Sequence, residues 1–412
     1  MTEPAARIQR IYLLLTLLST LAASFIWGVN TLFLLDAGLS NAQAFGANAF
    51  FTVGEVLFEV PTGVIADTWG RRTSYLLGAG TLLVSTLLYL FMWRSHAPFW
   101  GWALASMLLG LGFTFFSGAT EAWLVDALAF TGFKGHLEGV MAKGQIATGV
   151  AMLTGSIAGG YLAQIGNLGV PYIARSVVLG FTFLAAFVFM KDVGFTPAVG
   201  KRPLDEVRRV LQQSIDQGWR QPPVRWLMLA APFTMGVGMY AFYALQPYLL
   251  QLYGNQRAFG IAGLAAAIVA GAQIVAGLLV PLARRWFARR THALVFATAI
   301  SVGCLALIGV LPKLGLVIAL VVVFSLASAF LQPIRQAYLN GIIPSAQRAT
   351  VLSFDNLMGS AGGVVVQPVL GHLADLAGYA RTYLIGAVIQ AAALPFLLLA
   401  RRENAPSDPI EE

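Results

Sequence analysis

The feature that most constrains this chain is a series of apolar runs about twenty residues long, repeated from one end to the other. A helix of that length crosses a hydrocarbon layer of about 30 Å and satisfies its backbone hydrogen bonds internally. The runs fall at 11–36, 44–66, 74–93, 99–124, 140–163, 170–190, 223–252, 258–282, 293–311, 314–338, 349–372 and 379–400. Charged residues make up only 11% of the chain against 58% hydrophobic, whereas a soluble domain carries about 25% charged residues. The expectation is an all-α membrane protein with twelve transmembrane helices. The first run follows Arg7 and Arg10, but it is too long for the apolar core of a signal peptide and is read as an uncleaved span.

Basic residues concentrate in cytoplasmic loops. With both termini cytoplasmic, only Arg94, Arg175, Arg257, Lys313 and Arg381 of the 26 Lys and Arg residues fall near the opposite face or inside a span. The net charge of +8 then follows from topology and contact with anionic lipid, and gives no reason to expect a nucleic-acid partner. The division is six spans and six: a bundle over 1–190, a cytoplasmic linker over 191–222, a second bundle over 223–402 and a short acidic tail over 403–412, expected to be disordered. Within the linker, Leu204, Val207, Val210, Leu211 and Ile215 recur at helical spacing opposite Arg208 and Arg209, the pattern of a helix lying on the membrane surface.

Internal repetition carries the reading further. The second span ends Gly63-Val64-Ile65-Ala66-Asp67-Thr68-Trp69-Gly70 and the eleventh ends Gly371-His372-Leu373-Ala374-Asp375-Leu376-Ala377-Gly378, a shared G-x-x-A-D-x-x-G. A looser version, Gly160 to Gln164, closes the fifth span, and a degraded one, Pro281 to Arg290, closes the eighth. Such endings indicate three-helix units alternately inverted in the membrane (3+3 in each half), an arrangement suited to alternating access.

With these motifs in place, residues 11 to 400 resemble the major facilitator superfamily, and Gly63, Ala66, Asp67, Gly70, Arg71 and Arg72 match that family's loop motif between helices two and three. Glycines allow a tight turn, and Asp67 can accept hydrogen bonds from Arg71 or Arg72 while facing the positive end of another helix. The resemblance implies that this helix is the eleventh, just beyond Arg348, and that the cluster is a cytoplasmic gate joined by Asp126 and Asp355. A topological stop signal accounts for the arginines but not for Asp67. In the second half Arg285 stands where Asp67 would be, so only the first copy can serve as the charge lock. "TGSIAGG", residues 154–160, is similar to the antiporter motif of the drug:proton families, with Gly155, Gly159 and Gly160 in place and Ser156 in the proline position. Plain small-residue packing explains the same glycines.

Ionisable residues inside a bilayer mark function, because each costs at least a few kcal/mol unless paired, hydrated or protonated. Glu121 is the first candidate for proton coupling, with Glu55 and Glu59, four residues apart on one face of span two, as the others; for Glu59, beside Pro61, a structural role is preferred. Proton-coupled relatives commonly carry an arginine in the fourth helix. Residues 103–112 hold none, and Arg175 in span six is the substitute available. The resemblance also places spans one, four, seven and ten around the substrate, nominating Asn30, Tyr240, Tyr243, Gln246 and Gln332; Tyr248 reads as an interfacial tyrosine. Aromatic and amide groups with nearby acids suit a lipophilic, often cationic compound.

Four histidines lie far apart in the chain and Cys304 is the sole cysteine, so neither a metal set nor a nucleophilic catalytic cluster can be assembled. Neither an enzyme nor a cofactor is expected. The reading is a secondary transporter of the cell membrane, monomeric in mechanism, that exports small lipophilic or cationic molecules in exchange for protons. The alternatives are a dedicated metabolite, sugar or siderophore carrier, working as importer or uniporter, and a lipid-conjugate flippase.

Overall fold

The computed structural model describes residues 3–197, 208, 212, 219–279, 286–343 and 348–410. The surface helix expected between Leu204 and Ile215, and Arg285 in the degraded motif, lie outside these residues. Among the described residues twelve helices are long and apolar enough to cross a membrane, and there is no strand beyond a single isolated bridge. In chain order the spans are Glu3–Trp27 with Asn30–Asp36, Asn41–Trp69, Arg71–Ser95, Phe99–Thr114 with Ala119–Phe130, Leu137–Ile165, Gly169–Phe189, Pro222–Tyr253, Phe259–Leu279, Arg290–Val310, Leu314–Asn340, Arg348–Ala377, and Tyr379–Ala391 with Ala393–Arg402. Prolines 61, 232, 247, 333 and 368 lie inside helices, where neighbouring helices can re-satisfy the freed carbonyls.

Three spans depart from the uninterrupted helices the sequence predicts. Span 1 breaks at Gly28–Val29, where a side chain on Gly28 would meet the Gly263 Cα at 2.8 Å. Span 4 unwinds over Phe115–Gly118, with Gly118 at φ +66°, and span 12 is interrupted at Ala392. Both copies of G-x-x-A-D-x-x-G end in a turn glycine with positive φ, Gly70 at +105° and Gly378 at +80°, each immediately preceding the next span. Only glycine adopts this backbone freely, which explains the last letter of the motif.

Two compact units emerge. Unit 1 comprises Met1–Gly38, Phe50–Glu206 and Arg257–Ala267; unit 2 comprises Leu39–Ala49, Val207–Gln256 and Ile268–Glu412. The first turns of spans 2 and 8 are therefore counted with the unit formed mainly by the other half of the sequence. Unit 1 packs Tyr12, Leu15, Tyr75, Trp123 and Leu128 at the end near the 2–3 loop. Toward its opposite end, Phe33 stacks on Tyr172 at 3.9 Å, flanked by Tyr89, Trp93 and Trp102. Unit 2 packs Leu227, Met228, Leu294, Tyr338 and Leu397.

The tail corrects the sequence expectation of disorder. Asp408 is 2% exposed and accepts hydrogen bonds from the Thr291 N–H at 2.8 Å and hydroxyl at 2.9 Å, while the Ser407 hydroxyl donates to the Tyr338 carbonyl at 2.7 Å. Asp408 supplies from a distance the cap that Arg289 does not give to span 9. In unit 1 Asp192, just after span 6, accepts from the Arg72 N–H at 2.8 Å at the start of span 3. The same device thus follows the last span of each half. Asp408→Ala removes a buried cap and is expected to cost about 1–2 kcal/mol, read as a lower thermal-unfolding midpoint in detergent; an unchanged midpoint would refute the capping role.

Candidate functional site: carboxylates on spans 2 and 4

Spans 2 and 4 approach backbone to backbone because glycines face each other. A Cβ on Gly110 would lie 2.8 Å from the Glu55 nitrogen, and one on Gly54 would lie 3.0 Å from the Met107 Cα. Just beyond this crossing span 4 unwinds, and the Ser117 hydroxyl donates to Glu59 Oε1 at 2.7 Å. The helix restarts at Ala119 with Glu121 in its first turn. Glu55 is half-buried, while Glu59 and Glu121 are exposed on the surface of the unit. Among the described residues no Lys or Arg lies within ion-pair distance of the three. A carboxylate on such a span is too costly to face lipid, and unwound backbone at membrane depth occurs where it lines a cavity or is buried in protein. The arrangement can hold a proton or a cation. Sequence reasoning missed the unwinding and Ser117; the Ser-Gly pair inside an apolar run was the available signal.

The charge cluster at the 2–3 loop is assembled within unit 1. Arg71 Nη1 donates to Asp67 Oδ1 at 2.7 Å, one helical turn apart, and its Nε lies 3.8 Å from Asp126 Oδ2. The Arg71 guanidinium also lies 5.8 Å from the Phe195 ring centre. Arg72 turns away, donating through Nη2 to the Phe187 carbonyl at 2.8 Å. The residues of span 11 that the sequence nominates for the gate, Arg348 and Asp355, belong to unit 2. Arg348 opens that helix, and Asp355, 2% exposed, is held by both terminal nitrogens of Arg335. Arg335 Nη2 also donates to the Leu227 carbonyl at 3.1 Å. The sequence reading counted Arg335 only as a topological marker.

The glycines of the antiporter-like motif are sites of close helix packing. A side chain at Gly155 would strike Ser24 Cβ, one at Gly159 would fall on the Phe25 carbonyl, and one at Gly160 would meet the Gly263 Cα at 2.7 Å. Ser156 is fully buried among them. Arg175 is buried in the aromatic core, where its Nε donates to Thr86 Oγ1 at 3.0 Å and its guanidinium lies 5.9 Å from the Phe113 ring centre.

The nominated cavity residues divide between the units. Asn30 in unit 1 is buried and accepts from the Tyr172 hydroxyl at 2.8 Å. In unit 2 Tyr240 is buried and hydrogen-bonded to Thr382 at 2.6 Å, Gln246 is buried, Tyr243 is half-buried and Gln332 is exposed. Tyr248, expected at the membrane interface, is instead 1% exposed and donates to the Ile308 carbonyl at 3.1 Å; the surrounding helices bury the ring once that hydroxyl has a partner.

Comparison with known proteins places this architecture. No curated protein matches the chain by sequence. Solved structures do match along nearly its whole length: the nucleoside transporter NupG at 10% identity, covering 97% of this chain and 99% of that one with a TM-score of 0.77; a bacterial homolog of the human lysosomal transporter Spinster at 14%, covering 100% of each with a TM-score of 0.75; and a D-xylose-proton symporter at 14%, covering 96% and 97% with a TM-score of 0.72. At such identities the likeness is one of fold. Residues 12–366 and 258–412 match the family described as Major Facilitator Superfamily. The chain therefore belongs to the Major Facilitator Superfamily, and is a multi-pass membrane transporter rather than an enzyme.

Proposed function

We propose that the protein works by alternating access in the cell membrane, with both termini cytoplasmic, and exports a small lipophilic or cationic compound in exchange for protons. The observation that carries this reading is the set of carboxylates around the unwound part of span 4: Glu59 bonded to Ser117 within it, Glu55 one turn before Glu59 on span 2, and Glu121 in the first turn after it. Carboxylates on spans with no basic partner among the described residues favour either a positively charged occupant or protons, and exchange of one for the other is the simplest cycle that keeps these groups neutral. Glu121 is the coupling residue in this scheme, Glu55 a second proton site, and Glu59 is held by Ser117. The Asp67–Arg71–Asp126 cluster is the cytoplasmic gate, with Arg348 and Asp355 on its span 11 side. The glycines from 155 to 160 allow span 5 to slide on span 1.

A second reading, a dedicated metabolite carrier, has its own support. Proteins named as a nucleoside transporter and a D-xylose-proton symporter share the full-length fold, and Tyr240 and Asn30 already have hydrogen-bond partners in packed cores, leaving fewer free aromatic and amide groups for a drug. Proteoliposomes containing the wild type separate the two. The export reading expects an imposed proton gradient to drive movement of a lipophilic cationic dye. If the dye stays put with and without the gradient while a nucleoside or sugar moves, the metabolite reading replaces it.

A further inference from the structure

Among the described residues Arg175 is the most deeply buried basic side chain, at 1% exposed. It lies on the second turn of span 6, at the end of unit 1 where Phe33 stacks on Tyr172. A guanidinium carries five N–H donors in a fixed fork and has no acceptor of its own. One of the five, on Nε, donates to Thr86 Oγ1 at 3.0 Å. Thr86 is engaged on both sides, since its hydroxyl also donates to the Leu82 carbonyl at 2.6 Å. The four N–H groups on Nη1 and Nη2 donate to no group among the described residues. No carboxylate among them lies within ion-pair distance, and the groups that act on the charge of Arg175 are the phenols of Tyr172 and Tyr89. The Phe113 ring centre, 5.9 Å from the guanidinium carbon, offsets part of the desolvation through its π face but offers nothing in the plane of the fork. Unit 2 holds the contrasting case. There Arg335 places both terminal nitrogens on Asp355 and one of them also on the Leu227 carbonyl, so the chain itself balances the charge.

A cation buried without a partner is strongly unfavourable, and arginine does not escape by losing its proton. The missing acceptor for Arg175 therefore comes from outside the chain. We infer that Arg175 holds a small, singly charged anion inside unit 1, with Nη1 and Nη2 as its donors and Phe113, Tyr89 and Tyr172 around them. Neither nitrogen is sealed by packing. The buried side-chain atoms without a partner include Gln9 Nε2 and Ser156 Oγ but neither Nη of Arg175, so each keeps surface that a ligand atom can touch. The Tyr89 and Ser106 hydroxyls, 2.6 Å apart, hold two hydrogens for the one bond between them, which leaves one more donor on this side of the unit. Charge narrows the ligand. One guanidinium balances one negative charge, whereas sulfate or a phosphate dianion would bring a second into the same apolar surroundings. The guanidinium is weakly hydrated and its parallel N–H pair suits a halide or a carboxylate. Free chloride and the carboxylate of an organic cargo share this chemistry.

The inference does not rest on the export reading, and its test reads stability rather than transport. Full-length protein in detergent is unfolded thermally in sodium sulfate, with chloride or acetate replacing sulfate at constant ionic strength. Sulfate strengthens burial generally, so a rise in midpoint on replacing it runs against the general salt effect. The bound anion is expected to raise the midpoint by about 3 °C at about a hundredfold excess over its dissociation constant. A rise with chloride assigns the position to an inorganic ion; a rise with acetate alone assigns it to the carboxylate of a cargo. Arg175→Gln is expected to abolish the rise. Thr86→Asp sets a carboxylate of the chain against the guanidinium, and is expected to raise the midpoint in sulfate and cancel the response to either anion. This second variant decides the matter if Arg175→Gln does not fold. A wild-type midpoint that neither anion raises would overturn the proposal without any variant, and so would an equal rise in Arg175→Gln or Thr86→Asp, which would place the anion elsewhere on the protein.

Discussion

Glu121→Gln is expected to lower gradient-driven transport by an order of magnitude or more while the protein folds and reaches the membrane normally. Glutamine keeps the size and hydrogen-bonding capacity of the side chain but can neither release a proton nor neutralise a cation. The position is exposed on its unit, so the substitution has little packing to disturb and its effect on stability is expected to be small. Loss of a charge-assisted contact lowers the gradient-driven rate by roughly ten- to a hundredfold. Two assays on the same proteoliposomes divide the possible roles. If exchange of dye across the membrane without a gradient survives in Glu121→Gln, the carboxylate carries the proton. If exchange is lost as well, it binds the substrate. A mutant with wild-type rates in both assays would remove Glu121 from the mechanism and return attention to Glu55.

The largest stability loss is expected from splitting the Arg335–Asp355 pair. Asp355 is 2% exposed and its carboxylate is held by both terminal nitrogens of Arg335. Arg335→Met leaves a buried carboxylate without its counter-charge, and breaking a buried pair in this way costs about 3–5 kcal/mol. The double variant Arg335→Met/Asp355→Leu removes both charges and restores much of the loss, because desolvating an ion pair offsets most of its Coulombic gain. Thermal unfolding of the four proteins in one detergent measures the coupling. Additive losses would mean that the pair is incidental to the fold.

How much of the protein was legible in its sequence differs from element to element. The twelve spans follow from apolar run length, since the bilayer imposes the same demand on every crossing. The turn glycines at 70 and 378 were equally readable, because their backbone geometry admits few other residues. Interruptions of spans were not. Gly28–Val29 and Phe115–Gly118 sit in apolar surroundings, where hydropathy is blind to backbone conformation. The disordered tail was mispredicted for a related reason: its polar composition says nothing of Asp408 reaching a helix start 117 residues away.

The sequence by itself therefore determined the solvent, the span number, the family and the positions of the repeated motif, all properties of local composition or local backbone demand. The tertiary structure alone decided partners. It gave Asp355 to Arg335, Glu59 to Ser117, Asp408 to Thr291, and Asp375 to the start of span 2. A polar or charged side chain that packing buries needs a partner, and which group it finds depends on the helices that come to lie beside it, information that a one-dimensional pattern does not contain.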